Sequence, residues 1–228
     1  MLTKEIKLKL CTDLASGMVY LSRRGYVHRD LAARNALLSS DYTCKVADFG
    51  LSRSLHGSAY YRPASARDPV PVRWAAVEVL EQGRFSSASD VWSFGVTMVE
   101  VWQDGATPFG DLSNTVVWAQ VVNGMRLAQP PSCPEDVFHR IICPCWNVDP
   151  EGRPTFAALE ETLAATIPQL MHLTQGAQRN AYVSDIEGLR AAVAEAGMHP
   201  MPPQRRRRAT VADCGIFQCC KQAQVRVG

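Results

Sequence analysis

The chain has 228 residues, of which 46% are hydrophobic and 20% are charged, and its formal net charge is +2. This composition predicts one globular domain with a tail. The small net charge argues against a nucleic-acid or membrane surface, because such surfaces carry blocks of one sign. We find neither a signal peptide nor an apolar run of the ~20 residues that cross a bilayer, which predicts a cytosolic chain.

The first predicted elements are a helix and a hairpin. Apolar residues between positions 6 and 21 recur at steps of four, four, four and three, which predicts a helix of about five turns, and Gly25 predicts its end. Two β-type runs at 36–38 and 44–47 flank polar turn residues, so we expect a hairpin. The polar stretch 50–71 predicts an exposed, adjustable loop.

The second half is predicted to be helical. Positions 90–102 are apolar on nearly every face, which predicts a helix that is buried all round. Three further helices are expected at 113–123, 134–146 and 155–170, the last with Thr155 as its N-cap. Periodicity then fades, and the composition turns to Pro, Gln and Arg, which predicts a mobile tail.

Two motifs carry the chemistry. The segment HRDLAARN at 28–35 fits the protein-kinase pattern HRDLxxxN at all five specified positions, and ADFG follows with Asp48 eighteen residues after Asp30. Either motif alone consists of ordinary turn residues, but the ordered pair is specific. Phosphoryl transfer needs positioned groups and charge neutralisation by Mg²⁺. Asn35 and Asp48 supply the oxygen ligands that Mg²⁺ prefers, and Asp30 would accept the substrate hydroxyl proton.

Further residues resemble tyrosine kinases in particular. Ala32, Ala33 and Arg34 give the AAR form of the loop, and this resemblance implies that Arg34 helps to place the substrate. Pro71, Val72, Arg73 and Trp74 resemble the substrate shelf of tyrosine kinases, in which the proline ring lies beside the acceptor phenol. The resemblance therefore implies ATP and Mg²⁺ as cofactors and protein tyrosine as the acceptor.

The resemblance also implies architectural roles. Asp90 resembles the aspartate that hydrogen-bonds the catalytic-loop backbone, although a simple helix N-cap is the alternative. Glu78 and Arg153 resemble the family's ion pair. The remaining motif residues with a structural role are His28, Arg29, Phe49 and Gly50.

A narrower resemblance is to the Axl and Mer group of receptor tyrosine kinases. It rests on Val77 in WAAVEVL, on FGVTMVEV and on NGMRLAQP, and it covers about residues 6–171. We therefore expect the C-terminal lobe of the kinase fold at 1–171, mainly α-helical and without the N-terminal β lobe, and a tail at 172–228. In an intact receptor this lobe would lie on the cytoplasmic side of the plasma membrane.

Control by phosphorylation is expected at the adjacent Tyr60 and Tyr61. The group usually has three such tyrosines, and here His56 lies near the first position. Phosphate could order the loop against Arg29 or Arg53; the alternative is that both tyrosines are merely exposed. Tyr182 in YVSDIE is either a docking site for phosphotyrosine-binding adaptors or an unmodified tail residue.

Part of a working kinase is missing from the sequence. No GxG occurs, and only Lys4, Lys7 and Lys9 precede the catalytic loop, so the phosphate-binding loop and its strand lysine are absent. Two hypotheses remain open. The chain is either a fragment of a receptor tyrosine kinase that is inactive alone, or a catalytically dead module that competes for substrates or partners.

Cysteines and the tail allow weaker predictions. The eight cysteines include no CxxC pair, so core or free thiols are favoured over a zinc site. Arg205 to Arg208 are interpreted as a solvated run, with a nuclear-import signal or a lipid patch beside Cys219 and Cys220 as the alternatives.

Overall fold

The computed structural model describes residues 2–40, 42–64 and 68–174, and side chains as far as residue 167. Almost the whole of the expected tail lies outside the described residues, as do Tyr182, Arg205 to Arg208, Cys219 and Cys220. The prediction of a lobe at 1–171 and a tail at 172–228 therefore stays a prediction.

The first helix, α1, spans Lys4–Arg23, as the sequence predicted. The Thr3 hydroxyl caps it by accepting from the Ile6 amide at 3.3 Å. Beyond its last turn Gly25 has a φ of +69°, a conformation that glycine adopts at little cost. One face of α1 is buried against the C-terminal helix and the hairpin, so α1 forms one side of the core.

Two small antiparallel sheets follow α1. Strand β1 (Tyr26–Val27) pairs with β4 (Arg53–Ser54), and β2 (Ala36–Leu38) pairs with β3 (Cys44–Val46). The predicted hairpin is confirmed. The prediction that 50–71 is only a loop is wrong at two places: β4 lies within it, and its Tyr61 forms an isolated bridge with Phe85. Backbone hydrogen bonds to β1 and to Phe85 hold this polar segment. Local composition cannot predict these pairings, because the partners are distant in the chain.

Helix α2 spans Val77–Gln82, and helix α3 spans Ser87–Trp102 through the centre of the lobe. Nearly every side chain of α3 is buried, which confirms the prediction of a helix surrounded by protein. Ser86 caps α3 in a reciprocal arrangement with Ser89. Helix α1 and the turns at 72–74 and 138–146 pack directly on this helix.

The last helices are only partly regular. Helices α4 (Asn114–Val122) and α6 (Phe156–Thr174) confirm the prediction, and the Thr155 hydroxyl accepts from the Ala158 amide at 3.2 Å. The prediction of one helix at 134–146 is wrong. There α5 (Glu135–Val137) continues into a π-helical turn at 138–142 and a 3₁₀ turn at 143–146. Pro144 lies in the 3₁₀ turn, and it offers no amide hydrogen for a regular α-helical ladder.

Within the described ranges no helix has the length and apolarity needed to cross a membrane. The cysteines described there, Cys11, Cys44, Cys133, Cys143 and Cys145, are free. Burial raises the pKa of the Cys11 and Cys145 thiols, as expected for core thiols. The architecture is mainly helical with two small sheets, and it agrees with the expected C-terminal lobe of the kinase fold.

Candidate active site

The candidate site is built on the loop between β1 and β2, residues 28–35, which we call the 28–35 loop. The Asp30 carboxylate accepts from Arg34 through one oxygen and from the Asn35 side-chain amide, at 2.8 Å, through the other. The same Asn35 amide donates to the Asp30 carbonyl at 2.7 Å. The Asp30 side chain is 17% exposed, so its carboxylate is held in one orientation and still reaches the surface.

A row of polar side chains on α3 holds this loop. Asp90, Ser93, Thr97 and Glu100 are spaced by three, four and three residues, which places them on one helix face. Asp90 accepts from the His28 amide at 2.7 Å and from the Arg29 amide at 3.0 Å. Thr97 donates to the Leu31 carbonyl at 3.3 Å. Glu100 accepts from the Ala33 amide at 3.0 Å. The α3 side chains thus occur in the same order as the loop residues that they bond. Helix α3 therefore sets the backbone path of the 28–35 loop.

Asp90 acts on the loop rather than as a helix cap. The N-cap of α3 is Ser86, four residues earlier, whereas both Asp90 oxygens accept from loop amides. Arg29 between them has a φ of +70°, which is unfavourable for a non-glycine residue and is maintained only by surrounding contacts. The predicted hydrogen bond from Asp90 to the loop is therefore confirmed.

The buried Asp90 carboxyl is also expected to make the free energy of unfolding depend on pH. Burial raises the pKa of its carboxyl from 3.8 to about 7, despite the two amide donors. Between about pH 4 and about pH 7 the folded state then binds more protons at this group than the unfolded state. Its contribution to the free energy of unfolding falls as pH rises through that window. Urea unfolding from pH 4 to 8 should show the wild type losing stability relative to Asp90→Asn, with a constant difference above about pH 7.

An exposed carboxylate on α5 provides the control for this comparison. Asp136→Asn should show no comparable trend against the wild type, because Asp136 is exposed. A wild type that instead gains stability over Asp90→Asn as pH rises would contradict the assignment.

His28 connects the loop to the hairpin. Its Nδ1 accepts from the Asp30 amide at 3.3 Å, so Nε2 carries the hydrogen that is donated to the Ala47 carbonyl at 3.1 Å. Burial lowers the pKa of this imidazole, which favours its neutral form. The Phe49 ring lies 5.4 Å from the imidazole, and 51% of Phe49 is exposed. His28 therefore links the 28–35 loop to the segment that carries Asp48.

Asn35 and Asp48 lie at the open end of the hairpin. The Asn35 carbonyl accepts from the Ala47 amide at 2.9 Å, which extends the β2–β3 pairing by one step and leaves Asp48 next in line. Asp48 has a φ of +59° and accepts from the Gly50 amide at 3.3 Å. The exposed Asp48 carboxylate and the Asn35 side-chain oxygen are donors of the kind that Mg²⁺ prefers, and Mg²⁺ is commonly bound through one or two protein ligands plus substrate phosphates. No cluster of three His, Cys, Asp or Glu side chains suited to a metal occurs in the described part of the chain.

The 71–74 segment contacts Arg34, the residue that bonds the Asp30 carboxylate. Pro71 precedes a 3₁₀ turn at Val72–Trp74. The Arg34 guanidinium carbon lies 4.3 Å from the centre of the Trp74 ring, and the Trp74 indole donates to Glu100 at 2.7 Å. The Trp74 carbonyl accepts from Ser93 at 2.7 Å. The 71–74 segment therefore borders Asp30 through Arg34 and is fixed to α3.

Arg73 differs from its neighbours in this segment. Its guanidinium donates to the carbonyls of Pro108, Gly110 and Leu112 and to the Asn114 side chain. This side chain therefore holds the turn before α4 and is already committed to four acceptors.

Tyr60 and Tyr61 contact different arginines. The Tyr60 ring, 38% exposed, lies 4.3 Å from the guanidinium of Arg84 and 5.6 Å from that of Arg62. The Tyr61 ring lies 4.7 Å from the buried Arg29 guanidinium. Arg53, one of the two expected partners, donates to its neighbouring carbonyls at Gly50 and Ser52. Among the residues that the structure describes, the cations that contact Tyr60 are thus Arg62 and Arg84.

Glu78 and Arg153 form the expected ion pair outside the site. Two parallel hydrogen bonds of 2.7 and 2.8 Å join the guanidinium to both carboxylate oxygens, and both residues are buried. This bidentate geometry is the strongest form of an arginine–carboxylate pair. It connects α2 to the turn before α6.

Sequence reasoning missed three residues that position the site: Ser93, Thr97 and Glu100. A signal was available for Glu100. It is the one acidic residue in the apolar run after Asp90, and a spacing of ten residues is close to three helical turns. A buried carboxylate in such a run requires donors, and the 28–35 loop and Trp74 provide them.

The fold, with its helical body, two small sheets and polar helix face behind the 28–35 loop, is the C-terminal lobe of the protein-kinase fold. A family model described as protein tyrosine and serine/threonine kinase matches residues 1–163. The tyrosine-protein kinase receptor TYRO3 of Gallus gallus is 44% identical over 156 residues, 68% of this chain and 18% of that protein.

Two further relatives give similar values. Tyrosine-protein kinase Mer of Mus musculus is 43% identical over 164 residues, 71% of this chain and 16% of that protein. Tyrosine-protein kinase Fer of Rattus norvegicus is 42% identical over 165 residues, 71% of this chain and 20% of that protein. The chain spans about a fifth of the length of these relatives. It belongs to the protein kinase family and, within it, to the Axl/Mer group of tyrosine kinases.

Proposed function

We propose that this lobe is the catalytic half of a receptor protein-tyrosine kinase, which transfers the γ-phosphoryl group of ATP to a protein tyrosine. The observation that carries the proposal is the Asp30 carboxylate, held by Arg34 and Asn35 and still partly exposed. A carboxylate fixed in this way is suited to accept a proton from a substrate hydroxyl, because a general base must reach its proton within hydrogen-bond distance.

Each neighbouring residue has a role in the proposed reaction. Asp30 accepts the hydroxyl proton as the tyrosine oxygen attacks the γ-phosphorus and the bond from that phosphorus to the bridging oxygen breaks, which releases ADP. Asn35 and Asp48 would hold Mg²⁺ through their side-chain oxygens. Bound Mg²⁺ neutralises negative charge on the phosphates. Arg34, stacked on Trp74, forms one wall beside Asp30. The Pro71 ring would lie beside the acceptor phenol.

Regulation is proposed at Tyr60, Tyr61 and Tyr182. Phosphate on Tyr60 would lie close to Arg62 and Arg84, and new charge-assisted hydrogen bonds to them would order the loop. Phosphorylated Tyr182 would recruit phosphotyrosine-binding adaptors. In the intact receptor this lobe would work at the cytoplasmic side of the plasma membrane.

The lobe needs a partner lobe for this activity. The 228-residue sequence contains no GxG, and without a glycine-rich loop and its lysine half of the nucleotide pocket would be open to water. We therefore propose that the chain alone is inactive, and that activity belongs to a two-lobe kinase, meaning a protein in which this chain follows an N-terminal kinase lobe.

The test compares the two-lobe kinase with the chain alone. With ATP and Mg²⁺ the two-lobe kinase should phosphorylate a tyrosine peptide and leave its serine analogue unmodified, whereas the 228-residue chain should transfer nothing. Absence of transfer by the two-lobe kinase would refute the proposed reaction. The alternative, a module that competes for substrates or partners, requires that the 228-residue chain lower the activity of a separate full-length kinase.

A further inference from the structure

One carboxylate connects the two sides of the candidate site. Glu100 is 5% exposed, and its Oε2 atom accepts from both the Ala33 amide, at 3.0 Å, and the Trp74 indole, at 2.7 Å. Ala33 belongs to the 28–35 loop that carries Asp30, and Trp74 belongs to the 71–74 segment. A single oxygen therefore joins segments that are about forty residues apart in the sequence.

The charge of Glu100 has a third neighbour. The Arg34 guanidinium is attracted to this carboxylate, lies over the Trp74 ring at 4.3 Å and bonds Asp30. The negative charge thus favours the position of Arg34 that also fixes the Asp30 carboxylate. Removing the charge should weaken the placement of Arg34 even if both hydrogen bonds to Glu100 are kept.

A structural role alone would not require an acid here. Burying a carboxylate carries a large desolvation penalty, and well-packed apolar residues often stabilise a core as well or better. Ser93 and Thr97 on the same helix face already fix Trp74 and the 28–35 loop with neutral hydroxyls. The distinctive property of Glu100 is that it binds both segments at once.

We propose that Glu100 is a positioning residue, which sets the spacing between the Asp30 loop and the substrate-side 71–74 segment and holds Arg34 between them. This inference rests on the proposed function, because the reaction concerned is the proposed tyrosine phosphorylation. It identifies Glu100 as a determinant of where the substrate tyrosine is placed. Glu100 acts through Ala33, Trp74 and Arg34.

The first test measures kinetics in the two-lobe kinase. Glu100→Gln keeps the shape and an acceptor oxygen but removes the charge. We expect kcat/KM for a tyrosine peptide to fall about 10- to 100-fold, the value of a hydrogen bond to a charged group, while KM for ATP stays unchanged. Trp74→Phe, which removes the indole donor, should have a similar effect, and the loss in the double variant should be smaller than the product of the two single losses.

Two results would contradict the proposal in this assay. Additive losses in the double variant would mean that Glu100 and Trp74 act independently. An equal rise in KM for ATP and for peptide would indicate general damage to the site. Glu81→Gln on α2 is the matched control, because Glu81 is exposed and its change should leave both constants unaltered.

The second test does not depend on activity. Amide hydrogen exchange of the full 228-residue chain should show the Ala33 amide exchanging about tenfold faster in Trp74→Phe, because the shared oxygen couples the two segments. Unchanged exchange at Ala33 would overturn the positioning role. Faster exchange of the Ala33 amide, found together with an inactive two-lobe kinase, would refute the proposed reaction. It would still support the coupling of the 28–35 loop to the 71–74 segment.

Discussion

Replacing Asp30 by asparagine is expected to lower kcat for tyrosine phosphorylation about 10²- to 10⁴-fold, the range that general acid–base catalysis contributes. The substitution keeps the size of the side chain but removes the basic oxygen that would take the hydroxyl proton. Because the loss concerns the transition state, KM for ATP and for the peptide should change little. Steady-state kinetics of the two-lobe kinase measures all three constants.

The control for Asp30 must separate chemistry from folding. Asparagine would present an amide group near the donors of Arg34 and Asn35, so some local rearrangement is expected. Thermal unfolding should therefore accompany the kinetics and show a transition close to that of the parent. Asp136→Asn should retain full activity, because Asp136 is exposed on α5. An Asp30→Asn kinase with more than a tenth of the parent's kcat would remove Asp30 from the proposed role.

The site residues that could be predicted from the sequence are those that belong to short motifs. The positions of Asp30, Asn35 and Asp48 follow from HRDLAARN and ADFG, and the apolar pattern predicted the helix on which the 28–35 loop rests. Such motifs are readable because chemistry restricts residue types at fixed local spacing. The predicted bond from Asp90 to the loop depended on the family resemblance, since sixty-two residues separate it from His28.

The features that the sequence could not predict depend on tertiary contacts. Glu100 contributes through Ala33 and Trp74, and nothing in the local sequence states which donors a buried acid will meet. Arg73 was expected on a substrate shelf, yet its side chain binds carbonyls that lie thirty-five to thirty-nine residues later. Propensity and periodicity describe local structure, whereas these contacts appear only once the helices have packed.

The helical irregularity at 138–146 has a different origin. The apolar spacing there resembles that of an ordinary helix, and Pro144 was the one local sign against it. The irregular turn lies very close to Gly95 on α3. A β-carbon at that position would lie 2.8 Å from the β-carbon of Cys145. The 3₁₀ turn therefore packs closely against α3 where α3 has no side chain.

Arg153→Met is expected to reduce the free energy of unfolding by roughly 3–5 kcal/mol, because it leaves Glu78 buried without its cation. Arg153 also donates to the carbonyls of Asn147 and Ala88 at 2.8 and 2.9 Å, and these acceptors would lose their partner as well. Typical domains are stable by only about 5–15 kcal/mol, so the loss would be a large fraction of the total. Urea unfolding of the 228-residue chain, followed by tryptophan fluorescence, measures it.

A surface ion pair on α1 is the matched control. Lys9→Met removes the partner of Asp13 from a pair at 2.7 Å in which the lysine side chain is 41% exposed, so solvent limits the effect to about 0–1 kcal/mol. Combining Arg153→Met with Glu78→Leu should recover part of the lost stability, because no unpaired buried carboxylate then remains. If Arg153→Met were no more destabilising than Lys9→Met, the pair would not contribute to the architecture as proposed. The buried pair stabilises the lobe that carries the Asp30 loop, so it should affect folding strongly and the chemical step only indirectly.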